Sequence, residues 1–113
     1  MTPVTDTVVQ EFLSKLGKAR TITSKKMFGG VGIYCDGVFF AVIDDDRLYF
    51  KVDDQTLANY EAHNAAQWVI KGPSGGAMPY REVPIAVLED SAKLGDWIDA
   101  AVEVAQRKKT KKK

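Results

Sequence analysis

Gly29, Gly30 and Gly32 follow Lys25 and Lys26, and glycines beside lysines are the raw material of a phosphate cradle. A nucleotide loop needs a strand before its glycines and a helix after them, because the helix N-terminus supplies free N–H groups and the positive end of its dipole. Here the glycines lead into VGIYC, a strand-like run, and no Gly-Lys-Ser/Thr follows. They read instead as a turn or bulge at a corner between strands. Gly72-Pro73-Ser74-Gly75-Gly76 matches the G-x-S-x-G of a nucleophile elbow, which requires a strand-to-helix turn and a histidine later in the chain. The only histidine, His63, comes before it, and the flanking segments QWVIK and MPYREV read as strands. Ser74 therefore sits in a loop with no base to activate it.

The remaining polar groups are equally quiet. His63 has no second His or Cys nearby and makes a poor metal site. Asp44, Asp45 and Asp46 lack the alternating spacing, the glycine and the distal glutamate of a calcium loop, so they read as a solvated turn. Cys35 falls on an apolar strand face without a basic neighbour, which describes a buried, inert thiol. As the single cysteine it also excludes an internal disulfide and suits a reducing compartment. These residues support no enzyme and call for no cofactor.

The elements that position these residues follow from periodicity and turn chemistry. Val8, Val9, Phe12, Leu13 and Leu16 recur at helical spacing, with Thr5 or Asp6 to cap the start and Gly17 to end the helix. Extended chain is expected from TIT at 21–23 towards Met27. Asp36-Gly37 between two apolar runs signals a two-residue hairpin, which sets Cys35 opposite Val38, Ile33 opposite Phe40 and Val31 opposite Val42 on one core face. If Asp44-Asp45-Asp46 is a three-residue loop, Leu48, Phe50 and Val52 join that face; a two-residue loop would swap them. Asp53 or Asp54 caps a short helix through Leu57 and Tyr60. Two strands follow around residues 72–77, with Pro79 suited to an edge. PIAVLED makes a turn, and a last helix from about Ser91 buries Leu94, Trp97, Ile98, Ala101, Val102 and Ala105. Hairpins dominate, so the expected fold is α+β: a largely antiparallel sheet in two layers, with helices packed on one face.

Two features remain as candidate binding surfaces. One is the outer sheet face, where Tyr34, Phe39, Ile43, Arg47, Tyr49 and Lys51 stand together; aromatics among cations can stack bases or hold a partner protein. The alternative is a surface partly covered by the chain itself or by a second subunit, so a monomer or a homodimer is expected. The other feature is the tail. Of the chain's 16 Lys and Arg, six lie in RKKTKKK, namely Arg107, Lys108, Lys109, Lys111, Lys112 and Lys113. The other ten face fifteen Asp and Glu, so residues 1–106 carry −5. A folded domain over 1–106 with a basic, disordered tail over 107–113 is expected, the tail binding nucleic acid weakly or serving solubility. An apolar share of 45% without any run of about 20 apolar residues fits a single soluble domain of the cytoplasm, with no membrane span.

The string MFGGVGIYCDGVFFAVIDDDRLYFKVD, then MPYREVP, then a Trp-bearing helix resembles the TfoX N-terminal domain family, which is related to bacterial competence regulators. The resemblance runs from about Phe12 to Ala105. It rests on Met27, Phe28, Gly29, Gly30, Gly32, Tyr34, Gly37, Phe40, Ala41 and Lys51 in order, followed by Met78, Pro79, Tyr80 and Pro84. Lys26 stands where the family often has arginine. The resemblance implies a two-layer fold similar to type III secretion chaperones and no catalytic residues. It also implies a link to transcriptional regulation through protein binding, with the transcription machinery or an activator as partner. Two-domain regulators of the family add a C-terminal helical domain that these 113 residues do not contain, so a task other than competence is expected.

Overall fold

The computed structural model describes residues 6–27, 30–70 and 76–111. Thr5, Phe28, Gly29, the loop around Ser74, and Lys112 and Lys113, all given roles above, lie outside these residues. Helix α1 spans Asp6–Ala19 and buries Val9 and Leu16. It does not stop at Gly17. Leu16 is fully buried and Ala19 packs against the core, which holds the last turn down and offsets the cost of about 1 kcal/mol for a glycine inside a helix. Arg20 closes the helix by donating from Nη1 to the Ala19 carbonyl at 2.6 Å. It then crosses helix α4 (Ser91–Lys111) to a bidentate pair with Asp99, at 2.8 and 2.6 Å. The guanidinium passes directly over Gly95, where a Cβ would lie 2.6 Å from Nη1 and push it aside.

The sheet is built from β1 (Thr23–Met27), β2 (Gly30–Cys35), β3 (Val38–Asp44), β4 (Arg47–Lys51), β5 (Gln67–Ile70) and β6 (Gly76–Glu82), in the order β1-β2-β3-β4-β6-β5. All neighbours are antiparallel. Short helices α2 (Leu57–Glu61) and α3 (Ile85–Leu88) complete the chain, α3 standing where a turn was expected. Helix α4 packs on β3 and β4, and α1 and α3 pack on α4, so the fold is a two-layer α+β arrangement. Met27 pairs with Gly30, so the glycine-rich stretch joins two strands and no helix follows it.

Register decides which side chains face the helices. The Asp36-Gly37 turn has φ of 52° and 78°, the left-handed pair a two-residue hairpin needs, and Cys35 pairs with Val38. Tyr34 pairs with Phe39, but Ile33 pairs with Ala41 and Val31 with Ile43, not with Phe40 and Val42. Phe40 is thus an extra residue, a β-bulge that inverts the alternation beyond it. Ile43 goes to the core, and Val42 goes to the opposite face. The next turn inverts the alternation again. It closes on Asp45 and Asp46 alone, with Asp44 opposite Arg47. The two changes of parity cancel, so Leu48, Phe50 and Val52 reach the core although the three-residue loop does not exist.

Asp45 and Asp46 both adopt the left-handed conformation, with φ of 54° and 58°. Asparagine tolerates that region better than most residues, and three adjacent carboxylates repel one another. Asp45→Asn is expected to stabilise the domain by about 0.5 kcal/mol, read as a raised urea midpoint. A lowered midpoint would show that the Asp45 carboxylate itself holds the turn.

Pro79 is not on an edge. It lies in β6, between β4 and β5. The sheet accepts it through an irregularity: Gln67 pairs with Arg81 and Val69 with Ala77, so Met78, Pro79 and Tyr80 bow out opposite Trp68. Gln67 Nε2 donates to the Met78 carbonyl at 3.2 Å, and the Val52 N–H donates to the Pro79 carbonyl at 2.9 Å. Asp53, expected to cap α2 itself, instead caps the turn that leads into it, and Thr56 stands at the helix N-cap. Asp53 Oδ1 accepts from the N–H groups of Gln55 and Thr56 at 3.0 and 3.1 Å, while the Asp53 N–H donates to Thr56 Oγ1.

Helix α4 buries Leu94, Ile98, Ala101 and Val104. Trp97 and Val102 are only partly buried, and Val104 takes the place expected of Ala105. The helix continues past residue 106 to Lys111, where a separate tail was expected from 107. Arg107 donates from Nη2 to Asp53 Oδ2 at 2.5 Å and also pairs with Glu103. Burial works against a charge on Asp53, but the bonds from Arg107, Thr56 and Gln55 together hold its carboxyl below the usual range. Arg107 is therefore a cation of the folded body.

Candidate functional site

The helices cover one side of the sheet. The other side carries Tyr34 from β2, Phe39 and Val42 from β3, Arg47, Tyr49 and Lys51 from β4, Tyr80 from β6 and Trp68 from β5. Their rings form one chain of contacts across the face. Tyr34 meets Phe39 at 5.3 Å between centroids, Phe39 meets Tyr80 at 6.3 Å, Tyr80 meets Trp68 edge-on at 5.2 Å, and Trp68 stacks on Tyr49 at 6.0 Å. Lys51 Nζ stands 4.9 Å from the centre of the Tyr80 ring, and Arg47 pairs with Glu82 at 3.0 Å. Tyr34, Phe39, Arg47, Tyr49 and Lys51 lie on this face as expected, and Ile43 does not. Trp68, Tyr80 and Val42 were missed. The signal for the first two was chemical: a buried indole or phenol carries a polar group that needs a partner, so such rings collect at half-polar surfaces.

Trp68 explains the shape of the face. Its Nε1 donates to Asp44 Oδ2 at 2.8 Å. Strands β5 and β3 are three places apart in the sheet, roughly 14 Å if it were flat, which is beyond the reach of an indole. The β5–β6 edge must curl over the outer face to bring the two together. The curl converts the middle of that face into a second small core, in which Val42, Tyr49, Trp68 and Tyr80 are buried and Met78 packs alongside. Asp44, expected in a solvated turn, is buried at the end of β3; its Oδ1 has no hydrogen-bond partner among the described residues.

This geometry limits the chemistry. Burial pushes the Tyr80 phenol up to about 12, with Tyr34 adding to the effect, and burial followed by Glu82 raises Tyr49. Both stay neutral in any ordinary medium and serve as neither base nor nucleophile. Burial, then Asp36, raises the Cys35 thiol, which is half-buried and packs against the core. His63 is exposed, its ring edge-on to Trp97 at 5.9 Å. Among the described residues no three His, Cys, Asp or Glu are placed to hold a metal. The accessible part of the face comprises the half-buried Tyr34, Phe39 and Lys51 at one end and the exposed Arg47 at the other.

The two sheet edges differ in character. Strand β1, TSKKM, exposes Lys25 and Lys26, charges that discourage pairing with another chain. Strand β5, QWVI, pairs with β6 alone among the described strands, has no charged residue, and leaves Val69 52% exposed. Among the described residues no helix is long and apolar enough to cross a membrane.

The family model for the TfoX N-terminal domain matches residues 11–105, and the chain belongs to that family. No curated protein matches it.

Proposed function

We propose that this TfoX N-terminal domain is a non-enzymatic, cytoplasmic adaptor in transcriptional regulation that takes up an extended segment of a partner protein along β5. The transcriptional setting rests on the family, and the transcription machinery or an activator is the expected partner. The observation that carries the binding mode is the asymmetry of the edges. An uncharged edge strand with a half-exposed valine, paired on one side only among the described strands, is the kind of template that recognition by strand addition uses. The lysine-guarded β1 edge offers no such template. Nucleic-acid binding through the lysines beyond Arg107 is the second reading, favoured by their concentration at one end of α4.

Val69→Lys tests the first reading. Because Val69 is half exposed, the substitution leaves the fold intact while placing a charge on the edge. Proteins captured from lysate by the intact chain, and retained after nuclease treatment, are expected to fall by roughly tenfold or more with the variant. Retention of the same proteins by the variant would rule out β5 as the docking edge. A dimer of the intact chain that Val69→Lys dissociates would give the edge to a second copy instead.

A further inference from the structure

We infer that the segment taken up along β5 is basic, with a lysine or arginine side chain placed beside Trp68 at an acidic corner of the outer face. The inference rests on the β5 docking edge proposed above and names the chemistry of what docks there. The corner is assembled by the curl of the sheet. Trp68 Nε1 reaches Asp44 Oδ2 at 2.8 Å, which brings the middle of β5 against the end of β3. Asp45 and Asp46 follow in the exposed turn. Gln67 pairs with Arg81, and the next residue, Glu82, pairs with Tyr49 near the start of β4, so the Gln67 end of β5 is the one that lies at this turn. Arg47 bonds to Glu82 at 3.0 Å, which pairs that carboxylate off. Asp44 is 8% exposed, its one bonded partner is a neutral indole, and its Oδ1 has no partner among the described residues. Bulk water screens so buried a charge little, and its field reaches whatever comes to rest beside Trp68.

Strand geometry then selects the segment. A strand added to β5 lies about 4.8 Å farther along the curl, which carries it onward over the outer face towards β3. Its side chains alternate between the two faces. Trp68 belongs to the outer-face cluster, so Val69 points to the side of the sheet that carries the helices. There Val69 is 52% exposed, and Ala77, its cross-strand partner on β6, is exposed beside it. Apolar side chains of the segment suit that side. Arg81 pairs with Phe50 of the main core and donates to the Ala65 carbonyl at 3.1 Å, so its charge is held on that side as well. The segment's alternate side chains come down beside Trp68 and the Asp44–Asp45 corner, where a cation is attracted and a carboxylate repelled. Because β5 itself carries no charge, the corner decides between them.

The test uses fluorescence anisotropy of two labelled peptides, Val-Lys-Val-Lys-Val-Lys-Val and its counterpart with glutamate for lysine, titrated with the whole chain at low salt. The lysine peptide is expected to bind roughly tenfold more tightly, and the difference to shrink in about 1 M salt, where charges are screened beyond about 3 Å. A peptide of the same composition with its lysines in one block cannot present alternate faces and is expected to bind far more weakly. Asp44→Asn, which keeps an oxygen for the indole, and Asp45→Asn, in the exposed turn, are each expected to cut the preference roughly threefold. Either variant suffices where the other fails to fold. Val69→Lys is expected to abolish binding of both alternating peptides, so it reports on the edge while the aspartates report on the charge. Equal binding of the lysine and glutamate peptides, lost in Val69→Lys, would overturn the basic preference and leave the β5 edge standing. Equal binding of the blocked and alternating lysine peptides, or a preference untouched by the aspartate variants, would reduce it to bulk attraction by an acidic body and overturn it too. No binding of either peptide, or binding that Val69→Lys leaves unchanged, would overturn both the edge and the preference.

Discussion

Phe40→Ala is expected to destabilise the domain by about 3–5 kcal/mol, enough to unfold much of the population at ambient temperature. Phe40 is fully buried and meets Phe50 edge-on at 5.3 Å, at the centre of the cluster between the sheet and α4. It is also the extra residue of the bulge, so its side chain and that of Ala41 both serve the core. Truncation removes one of the two largest fully buried side chains and leaves a cavity that a six-stranded sheet, tied on both sides, cannot collapse to fill. Phe39→Ala, one residue away on the other face and half-buried, is expected to cost far less. Urea titration of the two variants measures both effects. A loss below about 1 kcal/mol for Phe40, or a larger loss for Phe39, would show that the bulge assigns the faces wrongly.

Turn chemistry was the most legible part of the sequence. Asp36-Gly37 demanded positive φ at both central positions, and the structure adopts it. Face assignment was harder for a physical reason. In VFFAVI every residue is apolar, so alternation carries no record of parity, and an inserted bulge leaves no trace. Three identical aspartates likewise do not say which of them is the last strand residue. Leu48 and Phe50 were placed correctly only because these two ambiguities offset each other. Pro79 was misplaced by a sound rule, since a proline disfavours an inner strand unless the ladder is already broken there, and here it is. The candidate site was half visible. Tyr34, Phe39, Tyr49 and Lys51 follow from local alternation, whereas Trp68 reaches the face by a curl of the sheet edge that no local pattern encodes. The convergence of Arg107 on Asp53 is of the same kind, a contact across fifty-four positions.

The Asp44–Trp68 pair yields a second large effect. A buried carboxylate accepts one bond, from the indole at 2.8 Å, and its other oxygen has no partner among the described residues. Trp68→Phe keeps most of the ring packing against Tyr49 and Tyr80 but removes the donor, which strands both oxygens in the second core. The cost of orphaning such a group is about 1–3 kcal/mol, and more when it is charged. Asp44→Leu has the reverse imbalance: it removes a poorly satisfied acceptor but leaves the indole N–H unpaired. Making both changes removes donor and acceptor together, and apolar replacement of a buried polar pair is often close to neutral. The double variant is therefore expected to be more stable than Trp68→Phe alone, with a coupling of at least 1 kcal/mol from the four urea curves. Simple addition of the two single losses would mean that water already satisfies the carboxylate, and that the curl of β5 is held by ring packing alone.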